Sequence, residues 1–271
     1  MNVNGYLERL ANAAVVRDSE RESIARSVNA LFAKLKFHFG TDIQEPKLFG
    51  SYSRSTMLPR SMDPESDVDC MIEFNEKNAK PQTYLDRLRR FVEKNYSRSE
   101  IAQSHPTIVL NLNHIRFELV PAVNSWWSGL EIPARVNDLD DWQETSPWDF
   151  HEKLTEKNKR NNGYIRKLIR VLKYWNACNG RPFQSYKLEE RIVEKTYWQW
   201  DTIWGPEWNL FRYVYDFASS LSEISIYDES TFMANSIDRL QSTVEEAKQA
   251  NRSGNETHGV KCLNKLLPYP I

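Results

Sequence analysis

Two aspartates two residues apart, Asp67 and Asp69, sit in an apolar run with Val68, Cys70, Met71, Ile72 and Phe74. In a strand, that alternation puts both carboxylates on one face. Two ionised carboxylates held side by side repel each other unless a cation lies between them, and hard oxygen ligands suit magnesium. Just upstream, the short run Leu48-Phe49 closes on a Gly-Ser turn, Gly50 and Ser51. A phosphate cradle beside a magnesium clamp implies nucleotide chemistry. There is no GxxxxGK[ST] loop, so the cradle rests on that turn. A third acid, Glu118, lies in IRFELVPAV, where Phe117 and Leu119 face one way and Glu118 shares the other face with Arg116 and Val120. A lone carboxylate is costly to bury, so Glu118 needs a partner. That partner is either a metal shared with Asp67 and Asp69, the reading favoured here, or Arg116 in a salt bridge.

The elements that must position these residues follow from periodicity. Ser19 and Glu22 have capping-box spacing ahead of Ile24, Val28, Leu31, Phe32 and Leu35, which predicts a long amphipathic helix to about residue 37. Strands are predicted over 47–49 and 67–74, with a short helix over 52–58 between them, stopped by Pro59. A helix over 81–96 presents Tyr84, Leu85, Leu88, Phe91 and Val92, and strands over 107–112 and 115–120 flank an Asn113-His114 turn. The Trp-, Pro- and Asp-rich stretch 126–146 reads as an irregular crossing between two lobes. Ser146-Pro147 then caps and starts a helix through residue 157. A helix over 164–177 carries Ile165, Leu168, Ile169, Leu172 and Trp175 on one face and Arg166, Arg170 and Lys173 on the other, with Gly180 as its stop. Further helices are predicted over 186–195, 207–221, 232–251 and 258–267. Residues 1–145 are thus expected to hold the N-terminal helix and catalytic core, and 146–271 a helical lobe.

The 36 Lys plus Arg against 37 Asp plus Glu give a net charge of -1, so no global positive field draws in long nucleic acid. Cys70, Cys178 and Cys262 are far apart and lack metal spacing, which excludes a disulfide framework and a zinc knuckle and suits a reducing cytoplasm. No leader pattern and no membrane-length apolar stretch is present, so a cytoplasmic protein is expected. Trp198, Trp200, Trp204 and Trp208 crowd one segment, read as packing in preference to base stacking.

The order Gly-Ser, helix, Asp-x-Asp, then an acid followed by Leu-Val-Pro-Ala resembles the DNA polymerase beta superfamily of nucleotidyltransferases. Within it, NGYIRKLIRVLKYWNACNGRPFQSYKLEE is similar to the helical lobe of oligoadenylate synthases and cGAS/DncV-like nucleotidyltransferases. The resemblance covers roughly residues 24–188. It implies an α+β fold, a polymerase-beta-type core of mixed sheet and flanking helices plus a C-terminal helical lobe, with the active site in the cleft between them. By resemblance, Asp67, Asp69 and Glu118 would hold two magnesium ions, or manganese, and Gly50 and Ser51 would bind the donor triphosphate. Lys173 and Ser185 would reach the donor phosphates, and Tyr186 would stack on a base. On their residues alone, Lys173 reads as a solvated helix face, Ser185 equally as a helix N-cap, and Tyr186 as a stacking residue slightly ahead of core. The family's third acid is most often Asp, so Glu118 is a departure. The loop PRSMDPES is long, and its Asp63 and Glu65 are taken as loop acids. The zinc-binding thumb of the animal cyclic GMP-AMP synthase has no counterpart, so recognition of long double-stranded DNA is not expected.

The resemblance further implies a bacterial synthase that joins nucleoside triphosphates (ATP, GTP or a pyrimidine nucleotide) into a cyclic di- or oligonucleotide, releasing pyrophosphate and signalling to a product-sensing antiviral effector. A monomer is expected. One alternative is transfer of a nucleotide to an RNA end or a protein, and another is a catalytically silent nucleotide sensor. Intact Gly50, Ser51, Asp67, Asp69 and Glu118 speak against the sensor.

Overall fold

The computed structural model describes residues 1–104, 106–125, 129–134, 141–197, 209–221 and 231–270. The chain divides into two compact units that interleave in sequence: Val16–Arg60 with Glu65–Glu152, and Met1–Val15 with Ser61–Pro64 and Lys153–Ile271. The division is therefore not a single cut near residue 145.

The first unit is built on a mixed sheet. Strands β1 (Lys47–Phe49), β2 (Asp67–Phe74), β3 (Glu100–Ser104), β4 (Thr107–Asn111) and β5 (Arg116–Ser125) lie in the order β1-β2-β5-β4-β3, with β6 (Gly129–Pro133) on β5 and β7 (Trp142–Glu144) on β6. Strands β2 and β5 run parallel, while β1 on β2 and β4 on β5 are antiparallel. One sheet face is fully apolar: Val68, Cys70, Ile72 and Phe74 of β2 and Phe117 and Leu119 of β5 pack under the long helix α2 (Asp18–Phe39) and helix α4 (Pro81–Asn95). The two helices contribute the spaced residues Ile24, Val28, Leu31 and Leu35, and Tyr84, Leu85, Leu88, Phe91 and Val92. This burial fixes the strand register, because a one-residue slip would turn the whole apolar set outward. The opposite face holds a smaller cluster of Met71, Val120, Ala122 and Ile132.

Several local expectations are corrected. Helix α2 begins at Asp18 behind Arg17, which makes no side-chain cap, so Ser19 lies inside the first turn and the capping box is not used. The helix placed at 52–58 is instead the single turn α3 (Gly50–Ser53), ended by Ser55 at φ +60°. The stretch 126–146 contains β6 and β7 where an irregular crossing was expected. Strand β3 was missed because its alternation is half-buried and polar on an exposed edge.

The second unit is helical in its described residues. It contains α1 (Val3–Ala13), most of α5 (Pro147–Arg160), and α6 (Tyr164–Cys178), α7 (Ser185–Glu194), α8 (Leu210–Ser220), α9 (Thr231–Arg252) and α10 (Glu256–Leu266). Helix α1, not anticipated from sequence, buries Val3, Tyr6, Leu7, Leu10 and Ala11 and packs on α6, α8 and α10. The Tyr6 hydroxyl lies 2.8 Å from Asn264 Oδ1 and 2.5 Å from the Leu267 carbonyl. Helix α6 buries Ile165, Leu168, Ile169, Leu172 and Trp175 as expected and stops just before Gly180 at φ +79°. The tryptophan cluster at 198–208 lies outside the described residues. No described helix is long and apolar enough to cross a membrane.

Candidate active site

Strand register assembles the acids. Opposite Asp67 on the parallel neighbour stands Arg116, and opposite Asp69 stands Glu118. Side chains in register on adjacent strands share a face, so Asp67, Asp69, Arg116 and Glu118 lie together on the face away from the main core. All four are only partly buried, while Val68, Cys70, Phe117 and Leu119 between them are fully buried. The alternation read from sequence is thus realised residue by residue. Directly behind Asp69, burial together with the Asp69 charge pushes the Cys70 thiol well up, which keeps it protonated.

Strand β1 brings in the Gly-Ser turn. Phe49 pairs with Asp69, so Gly50 emerges against that carboxylate. A Cβ built on Gly50 would lie 1.7 Å from Asp69 Oδ2, and its φ is +69°. Only glycine satisfies both the close approach and the backbone angle. From there the chain winds tightly: the Arg54 amide donates to the Gly50 carbonyl at 3.2 Å, and the amides of Thr56 and Met57 donate to that of Ser51 at 3.0 and 3.1 Å. Ser53 Oγ donates to the Gly50 carbonyl at 3.0 Å. These bonds hold the turn beside the acids.

Glu118 takes the partner that the residues alone offered, since Arg116 Nη2 donates to Glu118 Oε1 at 2.7 Å. The pair is partly solvent-exposed, with side-chain exposures of 28% and 19%. An ion pair in that setting is weak enough to be exchanged for a metal contact. The donor set of three carboxylates on one face, two on β2 and one on β5, is of the hard-oxygen kind that binds magnesium or manganese. The residues present fit a divalent ion.

The helical unit places the other predicted residues differently from one another. Lys173 is buried in α6 and donates from Nζ to Glu189 Oε1 of α7 at 2.9 Å, with side-chain exposures of 7% and 1%. Arg170 is also buried, donating from Nε to the Ala11 carbonyl at 3.4 Å, and burial beside Arg166 lowers its pKa to about 10. Of the solvated basic stripe expected for Arg166, Arg170 and Lys173, only Arg166 stays partly exposed; Arg170 and Lys173 face inward. Periodicity misplaced them because the helix is covered on nearly every side, by α1, α7 and α8. Ser185 is the first residue of α7 and Gln184 its N-cap, so Ser185 does not cap. Tyr186 is 41% exposed and is not core.

One residue set aside as a loop acid has a defined place. Asp63 is buried, and Arg181 grips its two carboxylate oxygens at 2.6 and 3.3 Å. Arg181 itself sits at φ +57° after Gly180, in a turn closed by Asn176, whose side chain both donates to and accepts from the Phe183 backbone at 2.9 Å. The sequence signal here was for the turn alone, Asn179-Gly180 ending the helix with Pro182 beyond; nothing in it pointed to the pair of Arg181 with Asp63.

The fold and the acid face define a nucleotidyltransferase core of the polymerase-beta type. Residues 1–158 match the Second Messenger Oligonucleotide or Dinucleotide Synthetase domain. A probable cyclic nucleotide synthase of Bacillus cereus is 27% identical, over 72% of this chain and 72% of its own. Among solved structures, the CD-NTase CdnG of Bradyrhizobium diazoefficiens in complex with GTP superposes with a TM-score of 0.69 at 12% identity, covering 97% of each chain. CdnC of E. coli MS115-1, solved with ATP, gives 0.67 at 16% identity and 98% of each chain. These two establish likeness of fold. The chain belongs to the second messenger oligonucleotide or dinucleotide synthetase family, and is a cGAS/DncV-like nucleotidyltransferase.

Proposed function

We propose that the chain condenses nucleoside triphosphates into a cyclic di- or oligonucleotide with release of pyrophosphate, as a signal in bacterial antiviral defence read by a separate effector protein. The observation that carries this is the acid face: Asp67 and Asp69 in register with Arg116 and Glu118, with Gly50 pressed against Asp69. Family membership and a relative named as a probable cyclic nucleotide synthase support it.

In this reading Asp67, Asp69 and Glu118 hold the divalent metal, magnesium or manganese, in two-ion form. Bound there, it neutralises phosphate charge and lowers the pKa of the acceptor hydroxyl. Gly50 and Ser51 receive the donor triphosphate, because the missing Gly50 side chain lets the turn's backbone lie directly against the Asp69 carboxylate. Arg116 gives up Glu118 on loading and keeps a positive charge next to the reacting phosphates. Tyr186 and Ser185 are the helical unit's proposed contacts to base and phosphate. Lys173 is proposed to serve the same nucleotide through the helix that its pair with Glu189 orients. ATP and GTP are the first substrates to test, since the two structural neighbours were solved with them.

The test is incubation with each labelled nucleotide, alone and mixed, with magnesium or manganese, then phosphatase treatment and mass spectrometry. A phosphatase-resistant cyclic product is expected. Label attached to RNA or protein, or no pyrophosphate release under any mixture, would overturn the reading.

A further inference from the structure

Among the described residues, three side chains in the helical unit, remote in sequence from the acids, have the chemistry of a second kind of metal site. His258 and Cys262 are one turn apart on α10, so they leave the same face of the helix, and Glu246 meets them from α9. His258 Nε2 lies 3.0 Å from Glu246 Oε1 and 3.6 Å from Cys262 Sγ. All three ligand atoms fall within 4.8 Å of one another. Around a tetrahedral zinc ion with ordinary Zn–S, Zn–N and Zn–O lengths, ligand atoms stand about 3.3–3.6 Å apart. The trio is already near that spacing.

We propose that Glu246, His258 and Cys262 bind one zinc ion, which clips α9 to α10 and leaves a fourth position to water. Thiolate, imidazole and carboxylate together select zinc over magnesium or calcium, which prefer oxygen alone. The charges balance, since one carboxylate and one thiolate offset the ion while the imidazole stays neutral. On binding, the Cys262 S–H bond breaks, a Zn–S bond forms, and the proton passes to solvent. Glu246 and His258 are each 48% exposed at the side chain, which gives the ion a path in, whereas Cys262 is 1% exposed and ends that path.

The hairpin is built to hold this geometry. Gly254 at φ +76° turns the chain between the helices, and Asn255 caps α10 by accepting the His258 amide at 3.2 Å. A Cβ on Gly259 would meet Val3 Cγ2 at 2.7 Å and the Ala247 carbonyl at 3.2 Å, so α10 lies tight on both α1 and α9 here and its rotation is fixed. Burial and Glu246 push the Cys262 thiol up, with Lys265 and Lys261 pulling the other way, so without metal it stays a thiol. The sequence carries no paired Cys and His motif, the usual local sign of zinc. Here the third ligand comes from the preceding helix.

Metal-free protein titrated with cobalt(II) tests the assignment. A thiolate-to-cobalt charge-transfer band with tetrahedral visible absorption is expected, saturating at one equivalent per chain and abolished by zinc(II) displacement. Cys262→Ser should lose the band, and Glu246→Gln, at an exposed position where folding is not at stake, should bind about tenfold or more weakly. The Asp67→Asn, Asp69→Asn chain should keep the band, because carboxylates give no sulfur charge transfer. No such band in the folded native chain, a band that survives Cys262→Ser, or unchanged affinity in Glu246→Gln would overturn the proposal.

Discussion

The charges of β2 and those of α6 stand in similar sequence contexts, each interrupting an apolar run, yet they meet opposite fates. Asp67 and Asp69 alternate with buried residues and stay partly exposed on one sheet face. Arg170 and Lys173 repeat at helical spacing and are buried, one on a backbone carbonyl and one on Glu189. A strand has two faces and only one was covered by helices, whereas α6 is wrapped by several neighbours. A reachable charge can serve a ligand directly. A buried one is first of all committed to its partner.

The sharpest break in that comparison comes from Asp67→Asn with Asp69→Asn. Turnover should fall by about 10³-fold or more, because both hard ligands are lost, while the chain still folds. Pyrophosphate release and circular dichroism measure the two halves of that statement, and residual turnover well above background would place the chemistry elsewhere. Lys173→Met should do the reverse, costing about 3–5 kcal/mol of stability by breaking a buried ion pair from one side. Lys173→Met combined with Glu189→Leu should recover most of it, as read by urea unfolding. If the single change costs under about 1 kcal/mol, the contrast between the two regions fails.

Gly50→Ala lies between these extremes. The added Cβ collides with Asp69 and opposes a positive φ, so about 1–3 kcal/mol of stability should go together with most of the activity. Retained kcat in that variant would detach the turn from the acids. The smallest effect concerns His38, which packs its ring on Phe39 and Phe91 at 4.6 and 5.3 Å between centroids. Partial burial, with Lys94 and Arg87 nearby, lowers its pKa. The unfolded chain therefore takes up the proton first, and stability should decline as pH falls below the ordinary value of 6.5. His38→Gln should flatten that acid slope in thermal unfolding.

How much of this was legible depended on whether a pattern was local. Strand β2 and helix α4 were readable because alternation and the Tyr84-to-Val92 spacing each report a one-sided environment. That Glu118 joins Asp67 and Asp69 was also readable, but its residue-by-residue register opposite Asp69 was not, since parallel register is set by packing across the sheet. The start of α3 was misread because nothing nearby announced that Gly50 would take a positive φ. The burial of Lys173 depended on Glu189 of the next helix, and that of Asp63 on Arg181, 118 residues away. Partnerships over such separations leave no periodic trace.

Helix α1 has a consequence in time. Its eleven residues leave the ribosome before those of α6, α8 and α10, yet the Tyr6 hydroxyl is answered by Asn264 and Leu267, and Val3 by Gly259. Until α10 has been translated, Val3, Leu7 and Leu10 have no finished surface to rest on. The sheet unit can close while the nascent chain is still growing, but the helical unit must wait for α10. A ribosome stalled before residue 256 would thus carry a settled sheet and an unpacked α1, open to chaperones and proteases.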